Sequence, residues 1–179
     1  MIEGLSYIPS FLDVDEQQTL LTQLEQLSYY HDSFLGKQLK RKYAQFGFQY
    51  GSTGRTLTPA ASFPPFLQQL ENKVRSACGS NPQPFTQCIV TRYDAGSGIG
   101  WHTDAPSFGD CICGVSLGAP GRLQFRTWKT APVEFELAVH SGSLYCMRGV
   151  VRWKYQHRAQ PVKATRYSLT FRTVHEEAI

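Results

Sequence analysis

Two histidines and an aspartate carry the clearest chemical signal in this chain: His102-Thr-Asp104, and His157 far downstream. A His-x-Asp pair joined by one distant His is the ligand set of a mononuclear non-haem iron(II) site, where three protein ligands hold one face and leave the other open. His102 and Asp104 stand at i and i+2, so on an extended segment both side chains leave the same face and can reach one ion. Further on, Arg166, Ser168, Thr170 and Arg172 alternate with Tyr167, Leu169 and Phe171. The apolar face of such a strand packs against a core. If the other face also points inward, each arginine must meet an anion or bear the cost of desolvation. A dicarboxylate co-substrate would serve, because the planar fork of Arg binds a carboxylate through two parallel hydrogen bonds. A solvated surface strand would carry the same alternation.

These residues need strands to hold them, and the second half of the chain supplies strand signals. Short apolar runs separated by Gly and Pro predict strands at Gln87 to Tyr93, Asp110 to Leu117, Arg122 to Trp128, Val133 to Leu137, Ser143 to Met147, Val151 to His157 and Arg166 to Val174. Before them, Asp13 can cap a helix whose Glu16 completes a capping box, with Leu20, Leu21, Leu24 and Leu27 at helical spacing. A second helix runs from Phe66 to Ala77, entered from Pro64-Pro65 and stopped near Gly79. Two helices followed by many short antiparallel strands describe an α+β chain whose larger part is a jelly roll or an open sandwich.

With 179 residues, 41% hydrophobic and 18% charged, the chain suits one globular domain and carries no signature of disorder. The net charge of +4 permits a polyanionic partner without demanding one. The first ten residues lack the basic and apolar regions of a secretion signal, and no apolar run approaches a membrane span. We therefore expect a soluble monomer in the reducing cytoplasmic compartment, away from membranes. Its five cysteines, Cys111-Ile-Cys113 included, then serve as buried apolar packers, since no second Cys/His pair of zinc type accompanies them. Trp101 is read as a core residue.

The segment from Gly36 to Pro59 has a different texture. Lys37, Lys40, Arg41 and Lys42 precede Tyr43, Phe46, Phe48 and Tyr50, then Gly51, Gly54 and Arg55. Cations interleaved with aromatics on a glycine-punctuated flap suit a nucleic-acid lid, with charge for phosphates and flat faces for bases. An edge hairpin whose lysines block aggregation would look similar.

Taken together, the residues from Gln87 to Thr173 resemble the AlkB-like family of iron(II)/2-oxoglutarate dioxygenases. The resemblance rests on Arg92-Tyr93, Gly98-Ile-x-x-His102-x-Asp104, Val115-Ser-Leu-Gly118, Leu123-Gln-Phe125, Gly142-Ser-Leu-Tyr-Cys-Met147-x-Gly-x-x-Arg152, His157, and Arg166-x-Ser168-x-Thr170-x-Arg172. It implies a double-stranded β-helix (jelly-roll) core at 87–175, with supporting helices and a substrate lid at 1–86. It also implies Fe(II) on His102, Asp104 and His157, and dioxygen as oxidant. Arg166 would pair with the distal carboxylate of 2-oxoglutarate, helped by Tyr93 and Ser168, and Arg172 would serve the keto-acid end. The implied reaction is oxidative demethylation of an N-alkylated base in RNA, tRNA or single-stranded DNA. Lys40, Arg41, Tyr43, Phe46, Tyr50, Arg55 and Trp128 are then the candidates to grip that substrate. The sequence departs from the family at Thr91 and Ser168, where Asn is common, and at Pro106, where the DNA-repair members carry an acid that favours a cationic base. A protein or small-molecule oxygenase, or a non-catalytic metal-binding module, stays open as an alternative.

Overall fold

The computed structural model describes residues 1–34, 37–50, 57–79, 83–127 and 131–175. In chain order the elements are β1 (Leu5–Ile8), α1 (Val14–Glu25), β2 (Tyr30–Phe34), β3 (Lys37–Phe46), β4 (Phe48–Tyr50), β5 (Leu57–Pro59), α2 (Pro65–Ala77), β6 (Gln87–Tyr93), β7 (Ile99–His102), β8 (Phe108–Gly118), β9 (Gly121–Arg126), β10 (Phe135–Val139), β11 (Ser143–Met147), α3 (Gly149–Lys154), β12 (Gln156–Ala159) and β13 (Arg166–Val174). A seven-stranded sheet has the order β1-β11-β8-β13-β6-β3-β2, and a four-stranded sheet the order β10-β9-β12-β7. From β6 onward the chain shuttles between the two sheets, which is the double-stranded β-helix. The strands pair antiparallel throughout.

The large sheet has two faces because its strands alternate. Leu169 and Phe171 of β13, Val115 and Leu117 of β8 and Val90 of β6 pack under Leu20, Leu24, Leu67, Leu70 and Val74 of the helices. On the opposite face, Ile112, Tyr145 and Met147 meet Leu123, Phe125, Leu137, Val139 and Ala159 of the small sheet and its surroundings. The capping box of α1 is formed: Glu16 N–H donates to Asp13 Oδ1 at 2.8 Å, and Asp13 N–H donates to Glu16 Oε2 at 2.9 Å. Helix α2 starts on proline, whose missing N–H costs nothing in the first turn. Its buried Glu71 accepts from Phe85 N–H at 3.0 Å, tying the helix to the chain entering β6.

Several expectations need correction. Val151 to His157 is not one strand: α3 covers Gly149–Lys154 and β12 begins at Gln156. The β-branched and aromatic residues there mimic a strand, but Val151 drops into the core between the sheets and Arg152 is drawn inward by backbone carbonyls. The strand expected at Val133 to Leu137 is shifted to Phe135–Val139, where Phe135 pairs with Phe125. Strand β9 ends at Arg126, and the expected continuation to Trp128 lies outside the described residues. Strands β1, β2 and β7 are additional to those expected. The basic segment is both a hairpin and a wall: β2 and β3 form an antiparallel pair at the large sheet's edge, with β3 hydrogen-bonded to β6.

Candidate metal and co-substrate site

His102 ends β7 and lies directly across from His157 of β12, as Cα partners in the small sheet. Their rings are 4.3 Å apart, centroid to centroid. Asp104 follows β7 in the next loop, and one ligand atom from each of the three residues lies within 4.8 Å of the other two. His157 Nε2 is 3.5 Å from Asp104 Oδ2. His102 Nδ1 is 2.9 Å from the Gly100 carbonyl oxygen. A carbonyl can only accept, so Nδ1 carries the proton and Nε2 keeps its lone pair for a metal. His157 is pushed down to about 3, first by burial and then by the neighbouring His102, Arg172 and Arg152, against the pull of Asp104. Burial alone would raise Asp104, yet Arg172 and then both histidines hold it at about 2. A neutral His157 and an ionised Asp104 are protonation states that binding of a divalent ion requires, and His102 turns Nε2 toward them, so the donor set fits iron(II).

Two arginines brace Asp104. Arg172 Nη2 donates to Asp104 Oδ1 at 2.5 Å, Nη1 donates to Gln87 Oε1 at 3.2 Å, and the guanidinium lies 4.8 Å from the centre of the Phe108 ring. Arg172 is thus engaged with the candidate ligand Asp104 itself, while its buried Nε has no partner among the described residues. Arg152, from the misread helix α3, reaches the backbone of the loop that carries Asp104. It donates to the carbonyls of Asp104 (3.1 Å), Ala105 (2.7 Å), Phe108 (3.2 Å) and Gly109 (3.3 Å). The sequence reading gave Arg152 no role. Its inclusion in an Arg-bearing motif was the available signal, and the strand assignment hid it.

Arg166 is 1% exposed, yet no carboxylate among the described residues meets it. Its Nε donates to Ser116 Oγ at 2.9 Å, the guanidinium lies 5.3 Å from the centre of the Tyr93 ring, and Nη2 is buried without a partner among the described residues. A buried guanidinium with a vacant donor is an unmet demand for an anion. Gly121 permits this placement, since a Cβ there would lie 2.8 Å from Arg166 Nε. Tyr93, Ser168 and Thr170 line the same cavity of about 580 Å³ as His102, Asp104, His157, Arg166 and Arg172. Tyr145, which sequence reading missed, also lines it. Its ring lies over Gly114, where a Cβ would stand only 2.2 Å from the ring. Burial pushes the Tyr145 hydroxyl up to about 12, against the opposing effect of Arg166, so it is present as a donor at neutral pH. The residues fit a dicarboxylate whose far end meets Arg166.

The lid candidates divide by parity along β3. Arg41 and Tyr43 line the cavity, joined by Gln45, which had not been singled out. Lys40 is exposed and outside the lining, and Phe46 packs instead against the helix-side core, with Ala44 on its face. The Tyr50 side chain, Arg55 and Trp128 lie outside the described residues. Trp101 is not a core residue: the guanidinium groups of Arg126 and Arg158 lie 4.2 and 4.7 Å from the centre of its ring. Asp110 points away from the cavity, accepting from Trp153 Nε1 at 2.6 Å and Gly149 N–H at 3.1 Å.

Comparison with known proteins agrees with this geometry. The model of the 2OG-Fe(II) oxygenase superfamily matches residues 4–172. An Arabidopsis thaliana protein called "Alkylated DNA repair protein ALKBH8 homolog" is 31% identical over 160 residues, covering 82% of this chain but 44% of its own length. The chain therefore spans about half of that relative. "Uncharacterized protein L905" of Acanthamoeba polyphaga mimivirus is 24% identical over 190 residues, covering 99% of this chain and 88% of its own. Among solved structures, OsALKBH1 superposes with a TM-score of 0.79 at 16% identity, over 97% of this chain and 98% of that one. A 2OG-Fe(II) oxygenase family oxidoreductase from Burkholderia pseudomallei gives 0.67 at 16% identity, over 94% and 84%. No helix among the described residues is long and apolar enough to cross a membrane. On the match of nearly its whole length, the chain belongs to the 2OG-Fe(II) oxygenase superfamily as an AlkB-like dioxygenase, an enzyme class that uses Fe(II), 2-oxoglutarate and dioxygen.

Proposed function

We propose that this dioxygenase demethylates an N-alkylated base in a nucleic acid, RNA, tRNA or single-stranded DNA, within one catalytic domain whose N-terminal part supplies helices and a substrate-facing strand. The observation that carries the co-substrate part is the buried Arg166 with its unpaired Nη2. When bound, iron with 2-oxoglutarate and dioxygen supplies hydroxylation of the methyl C–H bond, with succinate, CO2 and formaldehyde as the products leaving the base unmodified.

The chain's own residues contribute position, charge and exclusion of water. His102, Asp104 and His157 would hold the ion, with Asp104 oriented by Arg172 through its other oxygen. Arg166 would take the distal carboxylate, with Tyr93 beneath it and Ser168 beside it. Ile99, Leu123, Met147 and Ala159 form apolar wall around the reacting end of the cavity. Arg41, Tyr43 and Gln45 on β3 would meet the substrate, with a cation for a phosphate and a ring for a base. Among the described lining residues, Asp104 is the only carboxylate, and it is committed to Arg172 and the metal. A pocket without a further acid favours a neutral methylated base over a cationic one. The Arabidopsis relative's name, which speaks of alkylated DNA repair, supports a nucleic-acid substrate.

The test is mass spectrometry of methylated oligonucleotides and tRNA incubated with the protein, iron(II), ascorbate and 2-oxoglutarate. We expect a neutral N-methylated base to lose the mass of one CH2, as N–CH3 becomes N–H, with formaldehyde released. Succinate formed without any demethylated product would reject the nucleic-acid assignment and leave a protein or small molecule as substrate.

A further inference from the structure

The helix-facing side of the large sheet, opposite the catalytic cavity, holds a cluster of thiols that the dioxygenase reaction does not use. Cys113 of β8 and Cys146 of β11 are Cα partners, with their sulfurs 3.0 Å apart. Cys78, at the C-terminal end of α2, completes a triangle, 3.1 Å from Cys113 Sγ and 2.8 Å from Cys146 Sγ. Cys111 lies two residues back on β8, its sulfur 3.5 Å from that of Cys113. None of the four is in a disulfide.

We propose that Cys78, Cys113 and Cys146, with Cys111 in reach as a fourth donor, bind a zinc ion between helix α2 and the large sheet.

The shape of the cluster argues for a metal. A disulfide joins two sulfurs and strands the third, whereas here each of three thiols has two neighbours at nearly one distance. A tetrahedral thiolate site with Zn–S near 2.3 Å has sulfur–sulfur edges of about 3.8 Å, so loading opens the triangle by about an ångström or less. Rotation about the side-chain bonds supplies that, most easily at half-buried Cys78.

Charge is also arranged for it. Three thiolates on a divalent ion leave one negative charge and four leave two. Arg148 stands beside the cluster, donating Nε–H to Cys111 Sγ at 3.0 Å and Nη2–H to the Cys78 carbonyl oxygen at 2.7 Å. A neutral thiol is a weak acceptor for a guanidinium, and a thiolate is a strong one. An entry route exists as well: a cleft of about 240 Å³ is lined by Cys111 and Arg148 together with Asp110 and His175. Simple apolar packing of small side chains would explain the burial but neither the triangle nor the cation held against sulfur.

The experiment uses the full chain, purified under reductant and stripped of metal, then titrated with cobalt(II) and separately with zinc. The His102–Asp104–His157 site has no sulfur ligand and gives no thiolate-to-cobalt charge transfer. We expect a near-ultraviolet charge-transfer band that saturates at a single equivalent, and zinc bound at both sites. The double variant Cys78→Ser/Cys146→Ser should lose the band and one equivalent of zinc. Cys88→Ala, which removes a buried thiol outside the cluster, should keep both. Absence of the band in the wild-type chain overturns the proposal whatever the variants do. So does alkylation mass spectrometry showing that the freshly purified, non-reduced chain carries a disulfide among these cysteines.

Discussion

Arg166 and Arg172 stand on the same strand face, but the structure separates their tasks, and replacing Arg166 with Ala tests the separation. Arg172 is already bound to Asp104 and Gln87, whereas among the described residues Arg166 donates to the neutral Ser116 hydroxyl and lies against the Tyr93 ring. If Arg166 holds the distal carboxylate, its loss removes one partner of a buried charge-assisted pair, which costs about 2–5 kcal/mol. At about 1.4 kcal/mol per factor of ten, the dissociation constant for 2-oxoglutarate rises roughly 30-fold to several-thousand-fold. Thermal shift reads this directly. In wild type, 2-oxoglutarate at about a hundred times its dissociation constant contributes about 2.7 kcal/mol, raising Tm by about 5–11 °C at about 2–4 °C per kcal/mol. In Arg166→Ala, even the smallest of these losses cuts the shift to about 2–4 °C. The assay is scanning fluorimetry with manganese(II) in place of iron, so that no turnover occurs, confirmed by calorimetric titration. Arg166→Lys keeps the charge and loses the fork, and should fall between. Co-substrate affinity within about threefold of wild type in Arg166→Ala would refute this reading.

Other perturbations separate the remaining roles. In the metal-free protein His157 titrates near 3, chiefly through burial, against an ordinary 6.5. The folded state then binds fewer protons than the unfolded one between these values, so stability falls as pH drops below 6.5, by up to about 1.4 kcal/mol per unit. Asp104, held at about 2, adds stability that is full above the ordinary carboxylate value of 3.8 and is lost progressively as pH falls from there through about 2. Urea midpoints between pH 7.5 and 5 should therefore slope steeply in wild type and less in His157→Gln; equal slopes would count against it. Arg152→Met should loosen the loop bearing Asp104 and weaken cobalt binding at the His–Asp–His site by about 10- to 100-fold, and unchanged affinity would assign Arg152 to stability alone. Gly114→Ala drives a methyl into the Tyr145 ring, and we expect a loss of about 1–3 kcal/mol, read as a lower urea midpoint with weaker 2-oxoglutarate binding. Arg41→Ala should reduce the salt dependence of single-stranded oligonucleotide binding by about one in slope, and Tyr43→Ala should cost about 1–3 kcal/mol in the same titration; neither effect would move substrate contact off β3.

What the sequence revealed was face and period; what it concealed was partnership. The alternation from Arg166 to Arg172 was legible because a strand's two-residue period is local: Tyr167, Leu169 and Phe171 are in the helix-side core, and the polar set lines the cavity. The same period separates Tyr43 from Phe46, and a reading by composition grouped them together. Trp101 was misplaced because a large aromatic beside His102 suggests a core, while its alternation with His102 sends it to the other face, against the guanidinium groups of Arg126 and Arg158. The motif named Arg152 but not its task, since its partners are backbone carbonyls 43 to 48 residues earlier in the chain and carry no residue signature. Cys111-x-Cys113 was noticed and set aside for want of a second pair. That pair exists as Cys78 and Cys146, one on a helix end and one on a neighbouring strand.

Strand register couples the two faces of the large sheet. Along β8, Cys111, Cys113, Val115 and Leu117 face the helices, while Ile112, Gly114 and Ser116 face the small sheet or the cavity. Shifting a strand by one residue exchanges those sets completely. The register is pinned from both sides at once: Cys113 against Cys146 on one face, and Tyr145 over Gly114 on the other, at adjacent pairs of the same β8–β11 ladder. Ser116, the partner of Arg166, follows two residues later on β8. The position of Arg166 thus depends on a ladder whose other face is filled by sulfur. The apolar and thiol packing behind the sheet is therefore part of what sets the geometry in front of it.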